Sequence, residues 1–351
     1  MKKAVLLENK DKKILKSKNY NFVFDKKTGF FARWGKTQDD DPQYSPVGPE
    51  IADIEISTIC KGVEGVGVCK FCYKGNTPRG ENMNLETFKK LFHKLPKHLT
   101  QIAFGIGDID SNPDMWAIFD YAKENGVIPN VTVNGEGITD EIADRLAKTC
   151  GAVAVSLYDK DKTFDTIKKL TDRGMTQVNI HFMISEETYD MAMDLINDRI
   201  NDPRIEKLNA IVFLSLKPKG RAISNNFTKL PQEKFSKLVN YALDASIGIG
   251  FDSCSAQKFL LSVKDSENYE RFETLSEPCE STLFSSYFNT KGEFFPCSFI
   301  EGTEGWETGI DIVSNGATFL KDLWNEDRTK KFRAKTIKCR ECKTSCPVYE
   351  I

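Results

Sequence analysis

The chain has 351 residues, 40% of them hydrophobic, enough for one large core or a large domain with a small appendage. Lys+Arg 49 against Asp+Glu 51 leaves a formal net charge of -2, without the basic excess of a general nucleic-acid binder, and no nucleic-acid partner is expected. No apolar run approaches the roughly 18 residues of a membrane span. The start, MKKAVLLENKDKK, has an apolar run of four residues, short of the roughly 7–15 of a secretory signal. A cytoplasmic protein with no membrane partner is expected.

Residues 1–50 are polar and turn-rich, with an acidic DDDP at 39–42, and read as a lead-in segment packed on a main domain. From 51 short β-branched runs alternate with longer amphipathic stretches. The strands predicted are 51–57, 101–106, 131–134, 153–157, 177–184 and 210–216, with helical stretches such as LETFKKLFHKL and TDEIADRLAKT between them. Several of these helices begin after Thr, Asp or Asn, or end at Gly. Nearly continuous apolar strands separated by helices indicate a parallel sheet of βα units. Six units imply an α/β fold with a partial (β/α)6 barrel over 51–255, its ligand site at the C-terminal strand ends. After about 255 the alternation stops. LFSSYFNTKGEFFPC reads as a hairpin and 318–334 as a helix, in a small domain over 256–351.

Ten cysteines are many for a cytoplasmic chain, where disulfides are disfavoured, so clusters of them point to metal or redox chemistry. Cys60, Cys69 and Cys72 follow the first barrel strand; Cys279, Cys297, Cys339, Cys342 and Cys346 lie in the last quarter; Cys150 and Cys254 stand alone. The three histidines, His93, His98 and His181, form no pair at metal-ligand spacing, and His93 and His98, in a lysine-rich stretch, read as surface positions. Taken alone, the C-x-x-C at Cys69 and Cys72 suits a zinc knuckle or a redox dithiol. Three thiolates leave a tetrahedral zinc one ligand short, whereas a [4Fe–4S] cluster with three protein ligands keeps one iron open to a small molecule.

Cys69-Lys70-Phe71-Cys72 resembles the C-x-aromatic-C of the radical S-adenosylmethionine (SAM) superfamily. The resemblance continues along the barrel in Gly105-Ile106-Gly107-Asp108, Asn134-Gly135, the Ser156-Leu157 segment and Leu216 to Ala222. It implies a [4Fe–4S] cluster on Cys60, Cys69 and Cys72, with SAM against Phe71, Gly105, Gly107, Asp108, Asn134, Ser156 and Leu216. Eight residues, Lys61 to Val68, separate Cys60 from Cys69, more than most members have. The C-terminal cysteines, with Gly292 five positions before Cys297, are similar to the SPASM/Twitch auxiliary-cluster domain. That likeness implies a second [4Fe–4S] cluster on Cys279, Cys297, Cys339 and Cys342, with Cys346 as alternate; a structural zinc site is the plainer reading.

The activity implied is reductive cleavage of SAM to a 5′-deoxyadenosyl radical that takes a substrate hydrogen, with flavodoxin or ferredoxin as electron donor. A peptide or protein substrate, modified by crosslinking, thioether formation or epimerisation, leads. Dehydrogenation of a small polar metabolite is the alternative, and a non-catalytic metal-binding module the reading of a different class. Cys254, at the end of a seventh short strand, is placed to donate a hydrogen atom to a substrate radical, or else is a small buried residue. Ser298, where sulfatase-maturing members carry a base aspartate after the cysteine, argues against that sub-activity. The lead-in is too short for a winged-helix peptide-recognition domain.

Overall fold

In the computed structural model the described residues are 4–349, apart from Glu304, Asn315 and Ser345. The lead-in is not irregular. It forms a four-stranded antiparallel meander of β1 (Val5–Glu8), β2 (Lys12–Lys16), β3 (Asn21–Asp25) and β4 (Phe31–Trp34), in that order across the sheet. Its alternation was masked by charge: in β2 the inward positions are Lys13 and Leu15. Lys13 is fully buried because its ammonium donates to the carbonyls of Leu99 (2.7 Å) and Lys97 (3.4 Å), which offsets part of the burial cost. Leu15, Tyr20, Phe22 and Phe24 pack with Leu283 and Phe284 from the C-terminal part of the chain.

The barrel strands are β5 (Ile51–Glu55), β6 (Gln101–Gly105), β7 (Ile128–Val133), β8 (Val153–Ser156), β9 (Val178–Ile184), β10 (Ala210–Ser215) and the short β11 (Ile249–Phe251). They pair in parallel in sequence order. Between them run α1 (Leu85–Lys94), α2 (Met115–Glu124), α3 (Asp140–Thr149), α4 (Lys160–Asp172), α5 (Tyr189–Asn201), the single turn α6 (Arg221–Ser224) and α7 (Gln232–Asp244). Side-chain caps start α1 at Asn84, α3 at Thr139 and α4 at Asp159, where each oxygen accepts an otherwise unpaired N–H of the first turn. The six strands expected from the sequence are all present, with ends shifted by up to three residues.

Two short helices, α8 (Ala256–Ser262) and α9 (Tyr269–Leu275), lead to β12 (Ser285–Phe288), β13 (Glu293–Phe295) and β14 (Ile310–Asp311). The hairpin β12–β13 is not a separate layer. β12 pairs in parallel with β5, with Tyr287 opposite Asp53, so the C-terminal strands extend the barrel sheet beyond its first strand. The expected helix at 318–334 is two pieces: a wide π turn over Phe319–Trp324, then α10 (Asp327–Glu341), capped by Glu326. Trp324 is fully buried and its indole donates to Ser45 O at 2.8 Å, tying this segment to the end of the lead-in.

His98 is not a surface histidine. It is 6% exposed, beneath Phe22 of the meander, and its Nε2 lies 3.4 Å from Gly48 O. Cys150 lies in the barrel core.

Candidate active site

Alternation along the parallel strands gives each one an inward row. Asp53 and Glu55 of β5, Ala103 and Gly105 of β6, Thr132 of β7, Ser156 of β8, and His181 and Met183 of β9 line one cavity of about 430 Å³. It is closed above by the loops that follow the strands: Cys60 to Asn76, Ile106–Gly107, Asn134 and Leu216 to Arg221. It therefore sits at the C-terminal strand ends, where parallel α/β folds bind ligands.

The cysteine loop is clasped by its neighbours. Arg221 donates from Nε to Cys69 O (2.8 Å) and from a terminal nitrogen to Asn76 O (2.8 Å), while its backbone N–H reaches Cys72 O (3.0 Å). Gly220 has φ +60, and a Cβ there would lie 2.5 Å from the carbonyl oxygens of Cys72 and Tyr73. Only glycine allows that approach. Gly107 serves the same loop: a Cβ would stand 1.8 Å from Ile59 O. Phe71 stacks on Tyr158 and meets Phe227 edge-on.

Cys60, Cys69, Cys72, Phe71, Gly105, Gly107, Asn134, Ser156 and Leu216 all border the cavity. Asp108, expected against SAM, does not. Its buried carboxylate accepts the backbone N–H of Lys61 (2.6 Å) and the Asn134 amide (3.0 Å), so it holds the cysteine loop to the third barrel strand from behind. The resemblance carried by Gly105 to Asp108 implied cofactor contact, whereas the Asp108 carboxylate is occupied by these two bonds.

The thiol chemistry suits cluster ligation. The Cys69 thiol beside it pulls the Cys72 pKa down to about 5, helped by the N–H groups of Asn76 and Gly75 and by Arg221. These neighbours favour the thiolate, the form that binds metal. Burial, with Asp108 nearby, raises Cys60. Among the described residues no three Cys, His, Asp or Glu side chains converge on the spacing of a single ion. A cuboidal cluster holds its thiolates farther apart than one ion does.

The second cysteine set differs from the expected one. The thiols of Cys254 and Cys346 stand beside each other, and Cys346 is drawn down to about 6 by that neighbour and by the N–H groups of Tyr349 and Val348, each 3.4 Å from its sulfur. Cys279 and Cys297 are close enough to feel the Cys346 charge, and Cys297 feels that of Cys279; burial is the larger cause in raising both. Cys342 is exposed on the last turn of the chain's final described helix, and Cys339 is half-buried beside it. Cys254, buried beside Cys346, is not among the cavity-lining residues.

Several cavity groups were missed at the sequence level. Asp53 and Glu55 alternate in IADIEIS, and acidic residues in phase on an inward row of a buried strand were the available signal. Glu55 accepts from Lys74 (3.0 Å) and from the Tyr287 hydroxyl (2.9 Å); Lys74 also pairs with Glu301. Lys217 pairs with Asp252 and lies over the Phe299 ring. His181, in phase on its strand, is held neutral, burial lowering its pKa to about 4.

No family model and no curated protein matches the sequence. Solved structures do. Streptococcus suis SuiB bound to precursor peptide SuiA superposes with a TM-score of 0.70 at 12% identity, over 94% of this chain and 91% of that one. SuiB bound to S-adenosylmethionine gives 0.64 at 12%, over 94% and 90%. The enzyme anSMEcpe with bound AdoMet and the Cp18Cys peptide gives 0.58 at 14%, over 84% and 87%. At such identities the likeness is one of fold, and that fold, a parallel βα sheet extended by a C-terminal hairpin around a thiol-lined cavity, is the radical SAM fold.

Proposed function

We propose that the protein is a radical SAM enzyme acting on a peptide or protein. The observation that carries this is the convergence of Cys60, Cys69 and Cys72 with Gly105, Asn134 and Ser156 on one cavity at the strand ends. The peptide-bound state of the similar structures supports the substrate class. In this reading Cys60, Cys69 and Cys72 hold a [4Fe–4S] cluster, with SAM beside it on Phe71, Gly105, Gly107, Asn134, Ser156 and Leu216. Bound cluster and SAM together supply a 5′-deoxyadenosyl radical for hydrogen abstraction.

The chain's own residues set the stage. Arg221, Gly220, Gly107 and Asp108 fix the cysteine loop, so the reacting groups meet a preorganised wall. Ser156 and Asn134 offer hydrogen bonds from adjacent strands, and Phe71 and Tyr158 close one side against water. Glu55, Lys74, Tyr287 and Glu301 form a hydrogen-bonded network that ties β5 and the cysteine loop to the hairpin. The barrel over 51–255 and the region 256–351 act together in this reading. The latter brings Cys279, Cys297 and Cys346 to Cys254 as the ligand set of an auxiliary cluster, replacing the set with Cys339 and Cys342. A flavodoxin or ferredoxin is the class of electron donor such chemistry requires.

The test is anaerobic turnover with peptides deuterated at carbon. A gain of one mass unit in the 5′-deoxyadenosine identifies abstraction from peptide. Unlabelled product with every peptide, and label taken instead from a small deuterated metabolite, removes the peptide reading.

A further inference from the structure

Every charged side chain on the cavity wall but one has a compensating partner among the described residues. Lys74 pairs with Glu55 and Glu301, Lys217 with Asp252, and Arg221 is spent on the carbonyls of the cysteine loop beside the Cys72 thiolate. Asp53 has no hydrogen-bond or ion-pair partner among the described residues. It is open to the cavity, yet it stands mid-strand in the interior of the barrel, flanked by β6 on one side and β12 on the other. The surrounding barrel wall and the charge of Glu280 push its carboxyl up to about 7.

Asp53 is exposed to this cavity and not packed against protein, so its carboxylate is free to pair with a group that enters. Neighbouring positions also keep space free around it. The residue paired beside Asp53 on β6 is Ala103, and the next inward position is Gly105, where larger side chains would fill the barrel. At about 3.3 Å per strand residue, Asp53 lies about 7 Å deeper than Glu55, which shares its row. That depth suits the end of a long side chain entering from the mouth.

We propose that Asp53 anchors a cationic substrate group, the ammonium or guanidinium of a peptide side chain, at the floor of the cavity. The proposal rests on the peptide reading above and deepens it: the side chain beside the reacting carbon is selected by positive charge. Lysine or arginine would supply the partner that Asp53 lacks and offset its repulsion from Glu280, while neutral side chains of the same length would not.

The test uses the reconstituted protein and two pairs of acetylated, amidated tripeptides with alanine at both ends. Their central residues are lysine against norleucine, and arginine against citrulline. Dissociation constants are measured by NMR titration. Wild type is expected to favour the cationic member of at least one pair by about tenfold or more, the worth of one charge-assisted bond. Asp53→Asn should erase the preference and Asp53→Glu should retain part of it. Absence of any preference in wild type, or its persistence in Asp53→Asn, overturns the proposal. SAM cleavage by the same wild-type preparation separates this from the parent reading. Cleavage without charge preference sinks the Asp53 anchor alone, and charge preference without cleavage sinks the radical reading alone.

Discussion

The thiol of Cys254, just past the last barrel strand, stands beside that of Cys346 in the C-terminal tail. The proposed auxiliary cluster therefore counts Cys254 among its ligands. Reconstituted wild type should carry about eight iron atoms per chain if both sites hold four. Cys254→Ser or Cys346→Ser should leave about four, whereas Cys339→Ser with Cys342→Ser should keep about eight. Iron analysis giving the opposite pattern would restore the set read from the sequence.

Asp108 should matter to the loop and not to SAM directly. Asp108→Ala leaves the Asn134 amide without its acceptor in a buried setting and the Lys61 N–H without its acceptor in a part-buried one. Urea unfolding should show a loss of about 2–4 kcal/mol for the two orphaned donors. A change within about 0.5 kcal/mol would mean that water takes over both bonds, and that Asp108 is not what fixes the loop.

Gly220 and Arg221 make a related prediction. Gly220→Ala places a methyl group 2.5 Å from two carbonyl oxygens of the cysteine loop, at a φ that alanine avoids. Arg221→Lys keeps the charge but loses the fork that reaches Cys69 O and Asn76 O together. Both variants should release iron to a chelator faster than wild type, with the iron lost coming first from the Cys60, Cys69 and Cys72 set. Equal release rates would show that the loop holds itself.

His98 sets a pH limit on stability. Burial lowers its pKa from the ordinary 6.5 to about 4, so the folded state keeps it neutral while the unfolded chain takes a proton. Its contribution is therefore full above about 6.5 and is lost as pH falls from there toward 4, by roughly 3 kcal/mol in all. His98→Gln should be less stable at neutral pH yet show a shallower loss between pH 6.5 and 4. Parallel melting-temperature curves for the two proteins would rule this out.

What could be read in the sequence follows the range of the interactions involved. The barrel strands announced themselves because β-branched apolar runs between capped helices are local signals. The cysteine loop did so because Cys69 and Cys72 are close in the chain. The meander was hidden because Lys13 occupies an inward position that only the distant carbonyls of Lys97 and Leu99 make tolerable. His98 looked solvated beside its lysines because the ring covering it, Phe22, comes from far earlier in the chain. Cys339 and Cys342 drew attention by their spacing, yet the partner of Cys346 is Cys254, which no spacing rule connects to it. Asp53 drew no comment within the strand at 51–57, although its phase placed it toward the cavity.

The central claim is that Cys60, Cys69 and Cys72 support cleavage of SAM, and the direct measurement is 5′-deoxyadenosine formed anaerobically from SAM and dithionite by the reconstituted protein. Wild type is expected to produce 5′-deoxyadenosine and methionine, and the variant with Cys60, Cys69 and Cys72 all changed to alanine to produce none while retaining about four iron atoms. No 5′-deoxyadenosine from wild type with its full iron content, or equal amounts from the triple variant, would contradict it.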